Sequence, residues 1–588
     1  MLSFRPLKDM LPVPARPWLL AGASAICLAL LQLPAAAQEF TEGSTTSAPP
    51  PPPDTIEIEQ VKIPPRSPDW FLSTYRSALL APLPARIWSQ GGIPRIIRQN
   101  EMFFNSHGWV GNYNQAGTTF TANNAFFQDL VKINTGKSVN GRTCATCHNP
   151  PSGMGLALTN IQARFRNNLN DPLFAPVDGA NCPSAVPAKN TAGSLYRGIR
   201  GRGTRSLRNA YSMLLTRGLI RIAIPVPQNA EYTVEVLSDK PGCNSDPDFN
   251  KDPGNPAIKI LSMYRRPIFS ASLRFKSPSD TDTRTSNNPL TNVMWDGREP
   301  SLRTQAIDAT LGHAQSPVQP TAAQVDQIVD FETKFFSAQL IDRLGGRLDV
   351  NATGGPFNLS GRSTEPPPPP APGGPPPPPA FDEYVNWANL TGNARAARQA
   401  SIARGQEIFN TKPITLANVG GFNDIFPPGP PFNPLTLFPA NCSTCHGMPH
   451  AGSELVLPPQ RDIGVGGQAA AGRFNGPVAA TDPALGNGPA PAGDLPVFKF
   501  TCNNGATHPF YGSEIITNDP GSGLITGKCA DIGKSTVPGL RGLASRAPFF
   551  HDGSARDLNG VVNFYDQRFN IGLTAQEKSD LVNFLAAL

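Results

Sequence analysis

Cys144-Ala145-Thr146-Cys147-His148 decides how this chain is read, and it returns almost unchanged as Cys442-Ser443-Thr444-Cys445-His446. Two thiols three positions apart lie on one helical turn and can add across the two vinyl groups of one porphyrin. The adjacent imidazole is then held under the iron as its proximal ligand. With 9 Cys and 7 His in 588 residues, one such pentapeptide is expected by chance on the order of once in a thousand chains. Two copies therefore read as two covalently attached haems c, with His148 and His446 on the irons. A redox Cys-x-x-Cys pair or half of a zinc site would use the same cysteines. Neither accounts for a His after both pairs.

The chain begins with the pattern of a secretory leader. Arg5, Lys8 and Arg16 precede the apolar run Trp18 to Leu33, and Ala35-Ala36-Ala37 before Gln38 forms a small-residue cleavage site. The run is too short for a transmembrane anchor and no second apolar span follows, so no stable membrane span is expected. Export agrees with covalent haem, which is assembled outside the bacterial cytoplasm, and points to the periplasm. Cys27 lies in the leader, which leaves Cys182, Cys243, Cys502 and Cys529 outside the haem motifs. In an oxidising compartment they suggest two disulfides. Sequence order favours 182 with 243 and 502 with 529, out of three open connectivities.

The formal charge of +6 is small for this length, and no long basic run argues for nucleic acid. The Arg-rich stretch Arg197, Arg200, Arg202, Arg205, Arg208 is broken by Gly and Ser, which fits a solvated loop or a haem-propionate contact better than a phosphate groove. The 54 Gly and 65 Pro imply long loops. Pro49 to Pro53 reads as a stiff tether, and the tract Pro366 to Pro379 as an exposed insertion or linker, because proline-rich chain cannot cross a core as helix or strand. The expected organisation is a leader (1–37), a tether (38–79), a first haem domain (80–360), a linker (361–384) and a second haem domain (385–588).

In the second domain, Ile402, Gly405, Ile408 and Phe409 recur at helical spacing. Thr574-Ala-Gln-Glu577 is a capping box opening a helix whose Leu581, Val582, Phe584, Leu585 and Leu588 form an apolar face. First and last helices crossing at a glycine around a haem motif resemble a class I cytochrome c. The expected fold is mainly α, two such domains with long loops and proline-rich insertions. Outside the haem motifs stand Asn292-Val-Met-Trp295-Asp-Gly-Arg298, Pro300-Ser-Leu302-Arg303, Val537-Pro-Gly-Leu-Arg541 and Ala547-Pro548-Phe-Phe-His551-Asp-Gly553. Together these resemble the signatures of the bacterial di-haem cytochrome c peroxidase and MauG family, over about two thirds of the mature chain.

The resemblance implies a peroxide-reactive first haem on His148 and an electron-transfer second haem on His446. It also implies that Trp295 stands between the haems and that Gln305 lines the peroxidatic pocket; Arg298 and Arg541 are the expected haem-propionate partners, since a guanidinium matches a carboxylate bidentately. The family's proline and catalytic glutamate fall at Ala309 and Gln315, and this chain has neither. An amide cannot titrate, so His313 becomes the candidate for moving a proton between peroxide oxygens. No His lies between His148 and His313, so the first iron is expected to keep an open or water-bound face as in MauG, unless His107 folds back onto it. Counting on from His551 places the family's second distal ligand at Tyr565, with His508 as a rival; Met448 and His450 follow His446 too closely to reach the opposite face. A calcium on the backbone carbonyls of Arg546 and Pro548 is a further family feature. The leading function is reduction of hydrogen peroxide with electrons from a small cytochrome c or cupredoxin. Two alternatives are a di-haem oxidase or oxygenase using dioxygen on an organic or protein substrate, and a non-catalytic electron carrier.

Overall fold

The computed structural model describes residues 101–115, 124–187, 202–276, 293–364, 379–425, 438–452, 460–466, 469–470 and 494–588. The leader, the tether, Arg197, Arg200 and nearly all of the second proline tract lie outside the described residues. Along the chain, strands β1 (Met102–Asn105) and β2 (Gly108–Asn114) form a hairpin, followed by helix α1 (Leu158–Asn167). Strands β3 (Ile220–Pro225), β4 (Tyr232–Ser238) and β5 (Ile260–Arg265) come next. Helices α2 (Leu302–Gly312) and α3 (Ala322–Lys334) then lead into strand β6 (Phe335–Asp342). The second half supplies helix α4 (Ala394–Thr411), strands β7 (Val497–Cys502) and β8 (Glu514–Thr517), and helices α5 (Leu558–Phe569) and α6 (Ala575–Ala587).

The helix starts follow local chemistry. Ser301 caps α2 by accepting from the Thr304 amide at 3.1 Å. Thr574 and Glu577 cap α6 reciprocally, each side chain accepting from the other's amide at 3.2 and 2.8 Å. Helices α4 and α6 cross where Gly405 stands, because a Cβ there would lie 2.0 Å from the Asp580 carbonyl oxygen. Leu581, Phe584, Leu585 and Leu588 pack against Ile402 and Phe409 in this crossing. Replacing Gly405 by Ala is expected to cost about 1–3 kcal/mol through overpacking; a thermal melt identical to the parent's would contradict that close approach.

Besides these helices, the described residues hold several antiparallel sheets. Strand β6 pairs antiparallel with β2, and β3 with β5. Strand β7 is flanked by β8 on one side and by β4, from the other half of the chain, on the other, in the register Thr501 to Thr233 and Phe500 to Val234. Stretches on both sides of the proline tract thus share this sheet, within the compact unit of residues 79 to 588. Disulfides join Cys182 to Cys243 and Cys502 to Cys529, and the four motif cysteines lie outside both bridges.

Candidate functional site

Each haem motif is a single tight turn that ends on its histidine. The amides of His148 and His446 donate to the carbonyls of Cys144 and Cys442, at 3.0 and 3.2 Å. Asn441 caps the second turn, its Oδ1 accepting from the Thr444 amide at 3.1 Å. Arg164 of α1 braces the first turn by donating to the Thr146 carbonyl at 2.7 Å, while its other nitrogens hold Asp171. Burial pushes the thiols of Cys144 and Cys442 up to about 12. Burial likewise pushes His148 and His446 down to about 4, leaving both imidazoles neutral, the form that ligates iron. His446 donates its Nδ1 proton to the Ala451 carbonyl at 2.6 Å, which leaves Nε2 as the free lone pair.

Packed interiors contain few voids larger than a water molecule. Here a cavity of about 110 Å³ adjoins Cys144, Cys147 and His148, and one of about 210 Å³ adjoins Cys442, Cys445 and His446. Both are lined mainly by apolar side chains, and with two thiols outside any disulfide and a neutral imidazole at each they fit a covalently held porphyrin. Trp295 lines both. Its Nε1 donates to the Arg266 carbonyl at 2.7 Å, and its ring centroid lies 5.9 Å from that of His551 in the second cavity.

The turn carrying Trp295 is pinned by charge. Arg265, fully buried at the end of β5, donates to Asp296 at 2.5 Å and to both oxygens of Asp519 at 2.7 Å. Arg298 donates back to Asp296 at 3.0 Å and lines the first cavity, so one nitrogen of the expected propionate partner is already engaged. Burial would raise Asp519, but the Arg265 guanidinium outweighs it and holds the carboxyl down at about 2.

Gln305 and His313 both line the first cavity, from α2 and its C-terminal end. His313 hydrogen-bonds Asp178 through Nδ1 at 2.5 Å, and Asp178 is also paired with buried Arg142, a carboxylate support that the sequence reading missed. Gln315 is exposed and absent from the cavity wall, its side chain accepting from Asn140 at 3.3 Å; it takes no part in this site. His107 sits in the turn between β1 and β2 and lines neither cavity. The cavity's own carboxyl is Glu332 of α3. It is buried, its Oε2 has no hydrogen-bond partner, and burial pushes it up to about 8. Its signal was a lone acid on the buried face formed by Val325, Ile328, Val329 and Phe331.

In the second cavity, Tyr565 of α5 lines the wall with Cys442, Cys445 and His446, and burial raises its phenol well above the usual range. His508 is not on that wall; its ring stacks on Tyr511 and accepts from the amides of Phe510 and Tyr511. Met448 packs with Phe275 and Phe336 instead. Arg541 also differs from expectation: it is buried against Glu383 at 2.6 Å and the Pro449 carbonyl, away from both cavities. Arg461 and Arg546 are the cations on the second wall, with Arg266 lining both cavities.

Part of the chain is similar in sequence to cytochrome-c peroxidases. The peroxidase IdrP1 of Pseudomonas sp. (strain SCT) is 33% identical over 111 residues, 16% of this chain and 29% of the relative. IdrP2 and IdrP1 of Denitromonas iodatirespirans are each 39% identical, over 77 and 69 residues, which cover 12% and 10% of this chain and 21% and 18% of those proteins. The chain thus spans less than a third of the length of these curated relatives. No family model and no solved structure matches it. Among the described residues no helix is long and apolar enough to cross a membrane.

The calcium expected on the carbonyls of Arg546 and Pro548 does not fit. The Arg546 carbonyl accepts from the Arg266 guanidinium at 2.8 Å, and Pro548 lies on the wall of the second cavity.

Proposed function

We propose that the chain is a periplasmic di-haem c-type cytochrome of the peroxidase type, reducing hydrogen peroxide at the first site with electrons passed through the second. The observation that carries this reading is the shared wall: two cavities, each built on a Cys-x-x-Cys-His turn with a neutral imidazole, meet at Trp295. Bound haem would supply the redox chemistry of the iron. The chain's residues supply the rest. His148 and His446 would hold the irons, Gln305 offers an amide to the peroxide, and Glu332, protonated below about pH 8, is the carboxyl able to give its proton to one oxygen while its carbonyl oxygen takes the proton of the other. His313, oriented by Asp178, is the second proton carrier on the same wall.

Trp295, pinned through Asp296, carries charge between the sites. A small cytochrome c or cupredoxin delivers electrons to the second. Steady-state oxidation of reduced cytochrome c by peroxide, on protein assayed for two haems per chain, tests the proposal. One haem, or no peroxide-dependent oxidation, would end it. A second reading, an oxidase or oxygenase acting on an organic or protein substrate, is favoured by Tyr565 on the second cavity wall. A phenolate on iron lowers the reduction potential and favours high-valent states over simple electron acceptance. Oxygen uptake with candidate substrates separates the two. Tyr565→Phe is expected to change the absorption and raise the potential of the second haem alone; an unaltered spectrum would remove Tyr565 from the iron.

A further inference from the structure

We propose that Arg266 is a built-in cation that ties together the wall between the two haem cavities, in place of a bound metal ion. Its guanidinium is fully buried and donates to three backbone carbonyls from separate stretches of chain: Arg217 at 2.9 Å, Leu156 at 2.5 Å and Arg546 at 2.8 Å. Carbonyl oxygens converging on a buried positive charge are what a calcium ion recruits. Here the charge is covalently part of the chain.

Three further observations agree. No carboxylate among the described residues pairs with Arg266, so the carbonyl dipoles alone neutralise it. Gly218 leaves the guanidinium its room, because a Cβ there would lie 2.2 Å from Nη1. Arg546 is buried beside it, and each positive charge works against the other, so a divalent ion brought to the same carbonyls would meet two guanidinium groups. The backbone of Arg266 completes the tie: its amide donates to the His551 carbonyl and its carbonyl accepts from Trp295, both at 2.7 Å. The side chain thus anchors the segment from which Trp295 and His551 hang.

The test uses the purified full-length holoprotein. After dialysis against a calcium chelator, metal content, melting temperature and electronic spectrum are measured, then measured again with millimolar calcium. No stoichiometric calcium and no change in any readout are expected; one calcium per chain whose removal lowers the melting temperature would overturn the proposal. Arg266→Ala is then melted with and without millimolar guanidinium or calcium. The variant is expected to melt below the parent and to regain melting temperature with guanidinium, while a variant that melts like the parent, or that guanidinium does not help, counts against it. Should Arg266→Ala fail to fold, Arg266→Lys takes its place. Lys keeps the charge without the three-way fork, and is expected to melt below the parent; parental stability in the Lys variant would overturn the proposal.

Discussion

Under the proposed function, replacing Glu332 by Gln is expected to lower peroxide turnover by about 10²–10⁴-fold, the usual loss on removing a general acid or base, with the haem content unchanged. The same change should stabilise the protein. Burial holds Glu332 protonated up to about pH 8, whereas in the unfolded chain it ionises near 4.5. A carboxyl raised in this way contributes stability only in acid, and that contribution is lost as pH rises from the unfolded value through the folded one. Above about pH 8 the parent carries a penalty on the order of 5 kcal/mol, which Gln does not. Denaturant titrations at several pH values should therefore show the variant's advantage growing from pH 5 to pH 8 and levelling off beyond. A variant that turns over peroxide at the parental rate would shift the proton to His313 and Asp178.

Arg265→Met is expected to cost about 3–5 kcal/mol, since it leaves the buried carboxylate of Asp519 without its partner. The sign of its pH dependence is opposite. Asp519 is depressed to about 2 by Arg265, so the pair stabilises the fold above the ordinary carboxylate range and the contribution fades as pH falls toward 2. The deficit of Arg265→Met should be full at neutral pH and shrink in acid; a deficit that does not vary with pH would show that packing, not charge, is lost. Because Arg265 also holds Asp296, the proposed function further expects charge transfer between the two sites to slow with it, as read by the rate at which the second haem is reoxidised by peroxide.

Local chemistry made part of this legible in the sequence. The Cys-x-x-Cys-His turns, the capping box at Thr574 and Glu577, and the Gly405 crossing are written within a few residues each, and the two disulfides join the order-adjacent cysteines. Trp295 was singled out by its motif. What escaped depends on pairing over long separations. Strand β4 alternates inward Tyr232, Val234 and Val236 with exposed Thr233 and Glu235, a period-two signal, yet nothing near it says that its partner is Val497–Cys502. Arg541, Arg546 and Arg266 look alike as isolated arginines. Only the fold decides that one meets Glu383, one lines a cavity and one gathers carbonyls. Gln315 was placed by counting, and a left-handed turn at that residue carries it out to solvent.

The β4 to β7 pairing bears on how such a chain matures. The partners are more than 250 positions apart, so this sheet closes only after nearly the whole polypeptide is available, a topology that folds slowly. Under the proposed function, cofactor attachment would reach Cys442 and Cys445, on the wall of the second cavity, while the chain is still open. Cutting the gene at the proline tract should accordingly give two insoluble fragments with unpaired strand edges, rather than two working cytochromes.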